Sequence, residues 1–462
     1  MNTVEQQLRA ELRAESELIT QGSLRQPDFR QLDDPAPARP LAGELAGGGR
    51  RQRLAWLAPV AAAAAVAVIV ATAAVVSRHG PSAGPEPSGA GKPTAGEINA
   101  VAAFSARDVW AVGSLNLDRP QGSDASVPLV EHWNGFKWRR VPVPADPALS
   151  ELNAIAGTSS DNLWAVGGGF GAFKPVILHW DGRAWRVQRL AANKAGNLRA
   201  VAVTSATDAW AVGQTGGRVP GALILHWNGK TWSKVPAPAA TGDRFLSGVA
   251  ATSARDVWAV GSAVDPRSSS SGLYIIHWNG SSWTQVPASH LHAVQPVLES
   301  AAAGPDGTIW AAGLTDGDHT ATLLMRWTGT AWQRVAGGTR GLGDATYAIA
   351  VLSARDVWAA GGGASDRNTV ILHWNGTAWT RIAAPGATFP GRINGLAATS
   401  ADDIWAVGYR GADGYAGVPQ ILHWNGSKWS RSFGPASTSG LNETSSCGPY
   451  CNDSPPSNTP SP

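Results

Sequence analysis

The sequence predicts an all-β fold assembled from seven copies of one unit, and three observations lead to this prediction. First, 21 of the 22 tryptophans fall into three series whose members recur every 46 to 54 residues. Second, the second and third tryptophans of each copy are always five residues apart. Third, each copy alternates short apolar runs with turn sequences such as Asn-Gly. A fixed period of this length indicates a repeat architecture, in which each unit buries a face against the next.

The three series mark three fixed places in the repeat. The first tryptophans, in or near the pattern D-x-W-A-V-G, are Trp110, Trp164, Trp210, Trp258, Trp310, Trp358 and Trp405. The second tryptophans are Trp133, Trp180, Trp227, Trp278, Trp327, Trp374 and Trp424. The third tryptophans are Trp138, Trp185, Trp232, Trp283, Trp332, Trp379 and Trp429.

The segment between the second and third tryptophans predicts a β-hairpin. It contains Asn-Gly in five copies, which is a strong hairpin signal because both turn positions favour a positive φ. A two-residue turn would pair Trp227 with Lys230, whereas a four-residue loop would pair Trp227 directly with Trp232. Both alternatives place the two indole rings on one face of the hairpin, so each copy is predicted to bury a pair of rings.

Each copy is interpreted as four short strands in a meander, named A to D from the centre outward. In the first copy these are Ile98 to Phe104, Val109 to Ser114, Leu129 to Trp133 and Lys137 to Pro142. Strand A is rich in Ala and Gly, which suits a crowded place near a central axis. Seven four-stranded sheets around an axis make a seven-bladed β-propeller.

The motifs S-x-x-D-x-W-A-V-G and I-L-H-W-N-G-x-x-W resemble the repeats of Asp-box propellers and of the propeller family of photosystem II assembly and stability factors. The resemblance covers roughly Glu97 to Pro435. It implies the propeller fold. Because one fold hosts lectins, hydrolases, scaffolds and receptors, it does not by itself imply an activity.

The apolar run at 54–76 predicts one transmembrane helix, since its 23 uncharged residues can span the hydrocarbon core. Arg50, Arg51 and Arg53 precede it, so the positive-inside rule places the N-terminus in the cytoplasm and the propeller outside. This is the topology of a single-pass, type II protein of the cell membrane. Cleavage as a signal peptide near Ala71-Thr72-Ala73 is the alternative, and the long preceding segment favours an uncleaved anchor.

The other flanking segments are predicted to lack a core of their own. Residues 1–53 are interpreted as a cytoplasmic segment, partly helical over Thr3 to Ile19 or disordered. Residues 77–96 are interpreted as a stalk linker, 97–435 as the propeller, and 436–462 as a disordered tail. The tail contains both cysteines, Cys447 and Cys451, for which a small disulfide loop is the expected state outside the cytoplasm.

Composition and motifs argue against several functions. Only 15% of the residues are charged, the net charge is +3, and no long basic run occurs, which disfavours nucleic-acid binding. The sequence lacks G-x-S-x-G, H-E-x-x-H and phosphate-loop motifs, so nothing supports an enzyme and no cofactor or metal is expected. Six histidines precede the second tryptophan, and several aspartates begin strand B. Because they recur once per copy, both sets are interpreted as framework rather than as ligands.

Candidate ligand-binding residues are placed on the B–C loops, because the spacing between the first and second tryptophans varies from 16 to 23 residues while the other spacings stay nearly constant. Binding residues often lie on variable loops over a rigid scaffold. The charged residues of these loops are Asp118, Arg119, Arg218, Asp265, Arg267, Asp316, Asp318, His319, Asp366, Arg367, Arg410 and Asp413.

Three functional hypotheses follow from the sequence. The first is a membrane-anchored, extracytoplasmic binding or scaffolding module whose partner is a protein or a cell-wall polysaccharide. The second is a transmembrane sensor that signals through the helix at Thr3 to Ile19. The third is a carbohydrate-active hydrolase that uses the B–C loop face.

Overall fold

The computed structural model describes residues 93–438 except for 118–124, 147, 170–173, 189, 191–195, 240–241, 266–270, 289–294, 316–319, 337–343, 364–368, 386–390 and 412–416. It contains seven antiparallel sheets, each of four strands that are consecutive in the sequence. The predicted seven-bladed β-propeller is therefore confirmed.

The strands of the first four blades have the following bounds. Blade one contains β1 (Pro93–Ser105), β2 (Asp108–Leu117), β3 (Ala125–Trp133) and β4 (Trp138–Arg140). Blade two contains β5 (Glu151–Ser159), β6 (Asn162–Gly168), β7 (Val176–Trp180) and β8 (Trp185–Gln188). Blade three contains β9 (Gly196–Ser205), β10 (Asp208–Thr215), β11 (Ala222–Trp227) and β12 (Trp232–Lys234). Blade four contains β13 (Asp243–Ser253), β14 (Asp256–Val264), β15 (Ser271–Trp278) and β16 (Trp283–Gln285).

The remaining blades follow the same pattern. Blade five contains β17 (Pro296–Ala303), β18 (Ile309–Thr315), β19 (Ala321–Trp327) and β20 (Trp332–Arg334). Blade six contains β21 (Asp344–Ser353), β22 (Asp356–Gly363), β23 (Thr369–Trp374) and β24 (Trp379–Arg381). Blade seven contains β25 (Gly391–Ser400), β26 (Asp403–Arg410), β27 (Val418–Trp424) and β28 (Trp429–Ser432). A short helix, α1 (Pro435–Thr438), follows blade seven.

The structure decides between the two hairpin geometries. Trp227 pairs directly with Trp232, so the loop has four residues. Within it only Gly229 has a positive φ, of 87°, and the expectation of a positive φ at both turn positions is wrong. The reason is that Asn228 Oδ1 accepts hydrogen bonds from the backbone N–H groups of Lys230 and Thr231, which closes an Asx-type turn.

The strands also differ from the predicted bounds. The first strand begins at Pro93, inside the segment interpreted as a linker, and runs to Ser105 because it pairs along the whole of β2. The fourth strand, by contrast, is only three residues long, Trp138–Arg140. Each blade is thus longest at its centre and shortest at its outer edge.

The seven first strands surround the central axis, and each contacts the first strands of the two neighbouring blades, with β25 returning to β1. The meander places the B–C loops and the D–A connections on one face, which we call the loop face. The A–B turns and the C–D hairpins lie on the opposite face, which we call the turn face.

The indole rings pack both within and between blades. In each hairpin the second and third tryptophans lie 5.7 to 6.0 Å apart, which confirms that the two rings share one face. Trp164 of blade two packs on Trp227 and Trp232 of blade three, with ring centroids 4.9 and 5.1 Å apart. The same arrangement occurs at every blade junction, and all seven first tryptophans are buried. Because tilted and edge-on aromatic pairs are favourable beyond their area, each junction is joined by three rings.

Blades seven and one close the ring without exchanging a strand. Trp405 packs on the Trp133 and Trp138 pair at 5.7 and 5.5 Å. The fully buried Glu131 accepts a hydrogen bond of 2.8 Å from the backbone N–H of Ala436 in α1. Burial raises the pKa of Glu131 to about 7, although the Ala436 N–H and the charge of Arg140 oppose the shift.

The flanking predictions lie mostly outside the described residues. These include the membrane span at 54–76, the cytoplasmic segment at 1–53, and both Cys447 and Cys451. Within the part of the chain that the structure describes, no helix has the length and apolar character needed to cross a membrane.

Candidate ligand site in the central channel

Every first strand contains a β-bulge at the same place. At this place the register with the second strand skips one residue, between Ile98 and Ala100 in blade one and at the equivalent position in the others. A bulge redirects a side chain, and bulges are common next to functional sites. The seven skipped residues, which we call the bulge ring, are Asn99, Asn153, Arg199, Ser247, Glu299, Tyr347 and Asn394.

The glycine of the W-A-V-G motif makes room for the bulge. A Cβ on Gly213 would lie 2.0 Å from the carbonyl oxygen of Asn197, two residues before the bulged Arg199. The equivalent glycines of the other blades have the same close contact, at 1.9 to 2.1 Å. A side chain cannot fit there, so the motif glycine is a requirement of the bulge.

The bulge ring lines a central cavity of about 580 Å³. On its loop-face side, Phe245 and Arg392 also line the cavity. Two residues further along the strands, toward the turn face, the wall becomes apolar, with Val201, Val249 and Ile349. The channel therefore has a polar mouth above an apolar layer.

Three asparagines of the bulge ring join neighbouring blades. The Nδ2 atoms of Asn99 and Asn153 donate to the carbonyl oxygens of Leu152 and Leu198 in the next blade, at 3.0 and 2.8 Å. Asn394 donates in the same way to a carbonyl of blade one, at 3.2 Å. In blades seven, one and two the side chain of the bulged residue therefore bonds to the backbone of the neighbouring blade.

The other four blades present different chemistry at the same position, namely Arg199, Ser247, Glu299 and Tyr347. Glu299 accepts a hydrogen bond from Ser247, and the guanidinium of Arg392 lies 4.6 Å from the centre of the Tyr347 ring. The side chain of Arg199 is exposed. This half of the mouth combines a cation, a hydroxyl, a carboxyl and a phenol.

Two carboxyls of the first strands have altered acidity, namely Glu299, which lines the cavity, and Glu97, which does not. Burial raises the pKa of Glu299, against the opposing effects of Arg199, Arg392 and the Ser247 hydrogen bond. Burial also raises the pKa of Glu97, which Arg392 opposes and the neighbouring carboxylate of Glu151 reinforces. Carboxyls with a raised pKa inside a cavity are common at binding and catalytic sites.

The predicted B–C loop residues are only partly described. Arg218 and Asp265 are exposed on the loop face, and Arg410 is half-buried at the end of β26. None of these three lines the channel cavity. The others lie outside the described residues: Asp118, Arg119, Arg267, Asp316, Asp318, His319, Asp366, Arg367 and Asp413.

Sequence reasoning missed the bulge ring, although a signal for it exists. Each first strand contains one polar position within an apolar run, as in L-R-A-V and L-S-G-V. This position directly follows a buried residue, which is Leu or Ile in six blades and Thr in the other. Its identity also changes from copy to copy, whereas the surrounding residues hardly change. A varied polar position in a repeated apolar strand indicates a side chain that does not serve the core.

The repeated histidines have the structural role that was predicted. The Nε2 atom of His226 donates to Asp208 Oδ1 at 2.7 Å, and the imidazole stacks on Trp210 at 4.2 Å. Five more blades repeat this arrangement, with hydrogen bonds of 2.7 to 2.9 Å to an aspartate, or to Asn162 in blade two. We call these histidine, aspartate and tryptophan groups the framework ring. Among the described residues, no cluster of three or more His, Cys, Asp or Glu side chains could hold a metal.

No protein-family model and no curated protein matches the chain. Solved structures similar to it include YCF48 bound to a D1 peptide, with 17% identity and a TM-score of 0.46, covering 70% of this chain and 93% of that one. YCF48 from Cyanidioschyzon merolae has 18% identity and a TM-score of 0.43, covering 64% and 88%. A GH74 xyloglucanase from Xanthomonas campestris has 14% identity and a TM-score of 0.48, covering 73% and 54%. The seven sheets themselves establish the propeller fold that the resemblance of the repeat motifs implies.

Proposed function

We propose that the protein is a binding module that holds a polar ligand at the loop-face mouth of its central channel. The observation that carries the proposal is the bulge ring, in which seven identical backbone irregularities aim seven side chains into one cavity. Packing alone does not require Arg199, Ser247, Glu299 and Tyr347 at these positions, because asparagine serves in the other blades.

The chemistry of the mouth fits a ligand with many hydrogen-bonding groups. Arg199 and Arg392 supply donors, Glu299 supplies an acceptor, and Tyr347 and Phe245 supply aromatic faces. A cell-wall polysaccharide or an extended segment of a partner protein has such groups. The apolar layer beneath would accommodate a methyl or acetyl substituent of either ligand.

The module is proposed to stand outside the cytoplasm on a single membrane anchor at 54–76. The support is the length of the uncharged run and the arginines that precede it. Fusions of a periplasm-active or cytoplasm-active reporter to the C-terminus test this topology. Activity of the cytoplasmic reporter would contradict it.

Binding is tested by sedimentation of the full-length protein with purified insoluble peptidoglycan, and in parallel with a peptide array. Arg199→Ala and Glu299→Gln are expected to weaken binding about tenfold, since each removes a charge-assisted hydrogen bond. The matched control is Arg183→Ala, which removes an exposed arginine from the turn face. Equal losses in the channel variants and in the control would reject the channel as the site.

The second candidate function is a glycoside hydrolase. The raised pKa values of Glu97 and Glu299 favour it. The reason is that the general acid of such an enzyme must hold its proton near neutral pH. Release of reducing sugar from a polysaccharide, abolished by Glu299→Gln with binding retained, would establish it. Binding without turnover would leave the first proposal standing.

A further inference from the structure

Blade five departs from the other blades at several adjacent places on the turn face. Thr308 stands where blade four has Asp256, and Arg326 stands in place of the repeated histidine. In the same turn, Gly304, Asp306 and Gly307 replace Thr252, Ala254 and Arg255 of blade four. Because these changes meet at one point, they indicate a local function rather than drift of single residues.

The changes replace the histidine and aspartate pair with a different arrangement. The guanidinium of Arg326 lies 5.8 Å from the centre of the Trp310 ring, where the imidazole stacks in other blades. The turn is instead closed by Asp306, which accepts the backbone N–H groups of Thr308 at 3.1 Å and of Ala354 in blade six at 2.7 Å. Blade five therefore keeps its shape without the usual pair.

The missing side chains open a pocket at this corner. In blades one, four and six the arginines Arg107, Arg255 and Arg355 cover the hairpin glycine, approaching the site of its Cβ to 2.8 or 2.9 Å. At Gly329 of blade five nothing lies within 4 Å. The result is a cavity of about 600 Å³, which we call the blade-five pocket. It is lined by Asp256, His277, Asp306, Arg326 and Trp327, among others.

The acceptor groups of the pocket already have partners. Asp256 Oδ1 accepts from His277 and from Trp258, at 2.7 and 3.1 Å. Both carboxylate oxygens of Asp306 accept backbone N–H groups. These hydrogen bonds use part of the accepting capacity of both carboxylates.

The donor groups, by contrast, lack acceptors. Among the described residues, Arg326 has no hydrogen bond or ion pair, and its guanidinium carries five N–H groups. In the other six blades the second tryptophan donates its Nε1–H to a carbonyl of the A–B turn at 3.0 to 3.3 Å. Trp327 makes no such bond within the described part of the chain. Arg326 and Trp327 are therefore unused donors of the pocket, and both suit a ligand that accepts hydrogen bonds.

We propose that the blade-five pocket binds a carboxylate, with Arg326 as its charged anchor and the indole N–H of Trp327 as a further donor. A guanidinium matches the planar geometry of a carboxylate. The carboxylates of Asp256 and Asp306 in the same wall disfavour a dianion, which selects a singly charged carboxylate over a phosphate. The group could belong to a peptide or to a uronic acid, and the site is separate from the channel on the opposite face.

The test uses the full-length protein and ligand-observed fluorine NMR with 4-fluorobenzoate as the probe and neutral 4-fluorobenzamide as its control. Arg326→Gln and Arg326→His are expected to weaken benzoate binding about tenfold or more. The histidine variant introduces the residue of six other blades, so loss of folding does not explain its result. Arg334→Gln, which removes an exposed arginine from β20 of the same blade, should change nothing.

Competition then identifies the source of the carboxylate. Displacement by N-acetyl-dialanine, and not by its amide, supports a peptide, whereas displacement by methyl glucuronide, and not by methyl glucoside, supports an acidic sugar. The proposal is overturned if the wild-type protein does not bind benzoate, if the amide binds equally, if Arg326→Gln binds like the wild type, or if neither acid competes.

Discussion

The framework ring on the turn face and the bulge ring in the channel repeat with the same sevenfold geometry but differ in their residues. Six blades carry a histidine that bonds an aspartate or asparagine and stacks on a tryptophan. The bulge ring contains five residue types in seven places. Uniform residues at equivalent positions serve packing, while varied residues on a uniform backbone are available for recognition. Substitutions in the first ring should therefore cost stability, and those in the varied half of the second should cost binding.

The largest loss of stability is expected for Trp405→Ala, at the junction between blades seven and one. The change removes a buried indole that contacts Trp133 and Trp138, so the free energy of unfolding should fall by about 4 kcal/mol. Urea unfolding followed by tryptophan fluorescence measures this. A loss below about 1 kcal/mol would show that the junction tryptophans do not hold the ring together.

Glu131 at the same junction gives the next largest effect, and it depends on pH. Because its pKa is raised from 4.5 to about 7 in the folded protein, its contribution is fully present below pH 4.5 and is lost as pH rises through 7. The change amounts to about 3 kcal/mol, given about 1.4 kcal/mol per pKa unit.

The Glu131→Gln variant isolates this contribution. Its free energy of unfolding, measured at several pH values between 4 and 8, should decline with pH by about 3 kcal/mol less than that of the wild type. Identical slopes would mean that Glu131 titrates as an ordinary carboxyl. The junction would then lack a proton-sensitive contact.

His226→Ala tests whether the histidines of the framework ring serve stability rather than ligand binding. It removes a hydrogen bond to Asp208 and a stacked ring on Trp210, so a loss of about 1 to 2 kcal/mol is expected, with ligand binding at the channel unchanged. Thermal unfolding and the peptidoglycan assay measure the two quantities. A binding defect without a stability defect would assign the histidines to recognition instead.

The smallest effects separate the two halves of the bulge ring. Asn153→Ala removes the hydrogen bond to the Leu198 carbonyl and should cost about 1 kcal/mol. Arg199→Ala, which truncates an exposed side chain, should stay within about 0.5 kcal/mol of the wild type. Similar losses in the two variants would contradict the division of the ring into a framework half and a recognition half.

The sequence predicted the fold closely because its strongest signals are local. The tryptophan spacings and the Asn-Gly hairpins specify strand number and order, and the recurring histidines indicated a structural role. The packing of Trp164 on the next blade was not predictable, since a contact between repeats leaves no trace in the spacing within one repeat.

The candidate site was less predictable for a related reason. Loop-length variation pointed to the B–C loops, but Arg218, Asp265 and Arg410, the predicted loop residues that the structure describes, do not line the channel. The side chains that line the channel, such as Arg199 and Glu299, occupy a strand whose composition suggested only close packing. These side chains point into the channel because of the β-bulge in each first strand. The bulge becomes evident only in the structure, where Gly213 lies directly against the Asn197 carbonyl.

Each blade is made from one uninterrupted segment of chain, and blade one borrows no strand from the other end. During synthesis, a sheet can therefore assemble as soon as its own four strands have left the ribosome, without waiting for a distant partner. Only the contacts that close the ring, such as Trp405 on Trp133 and Trp138 and α1 on Glu131, require the last blade. The same modularity means that duplication or deletion of one unit would change the circumference of the ring without rethreading any sheet.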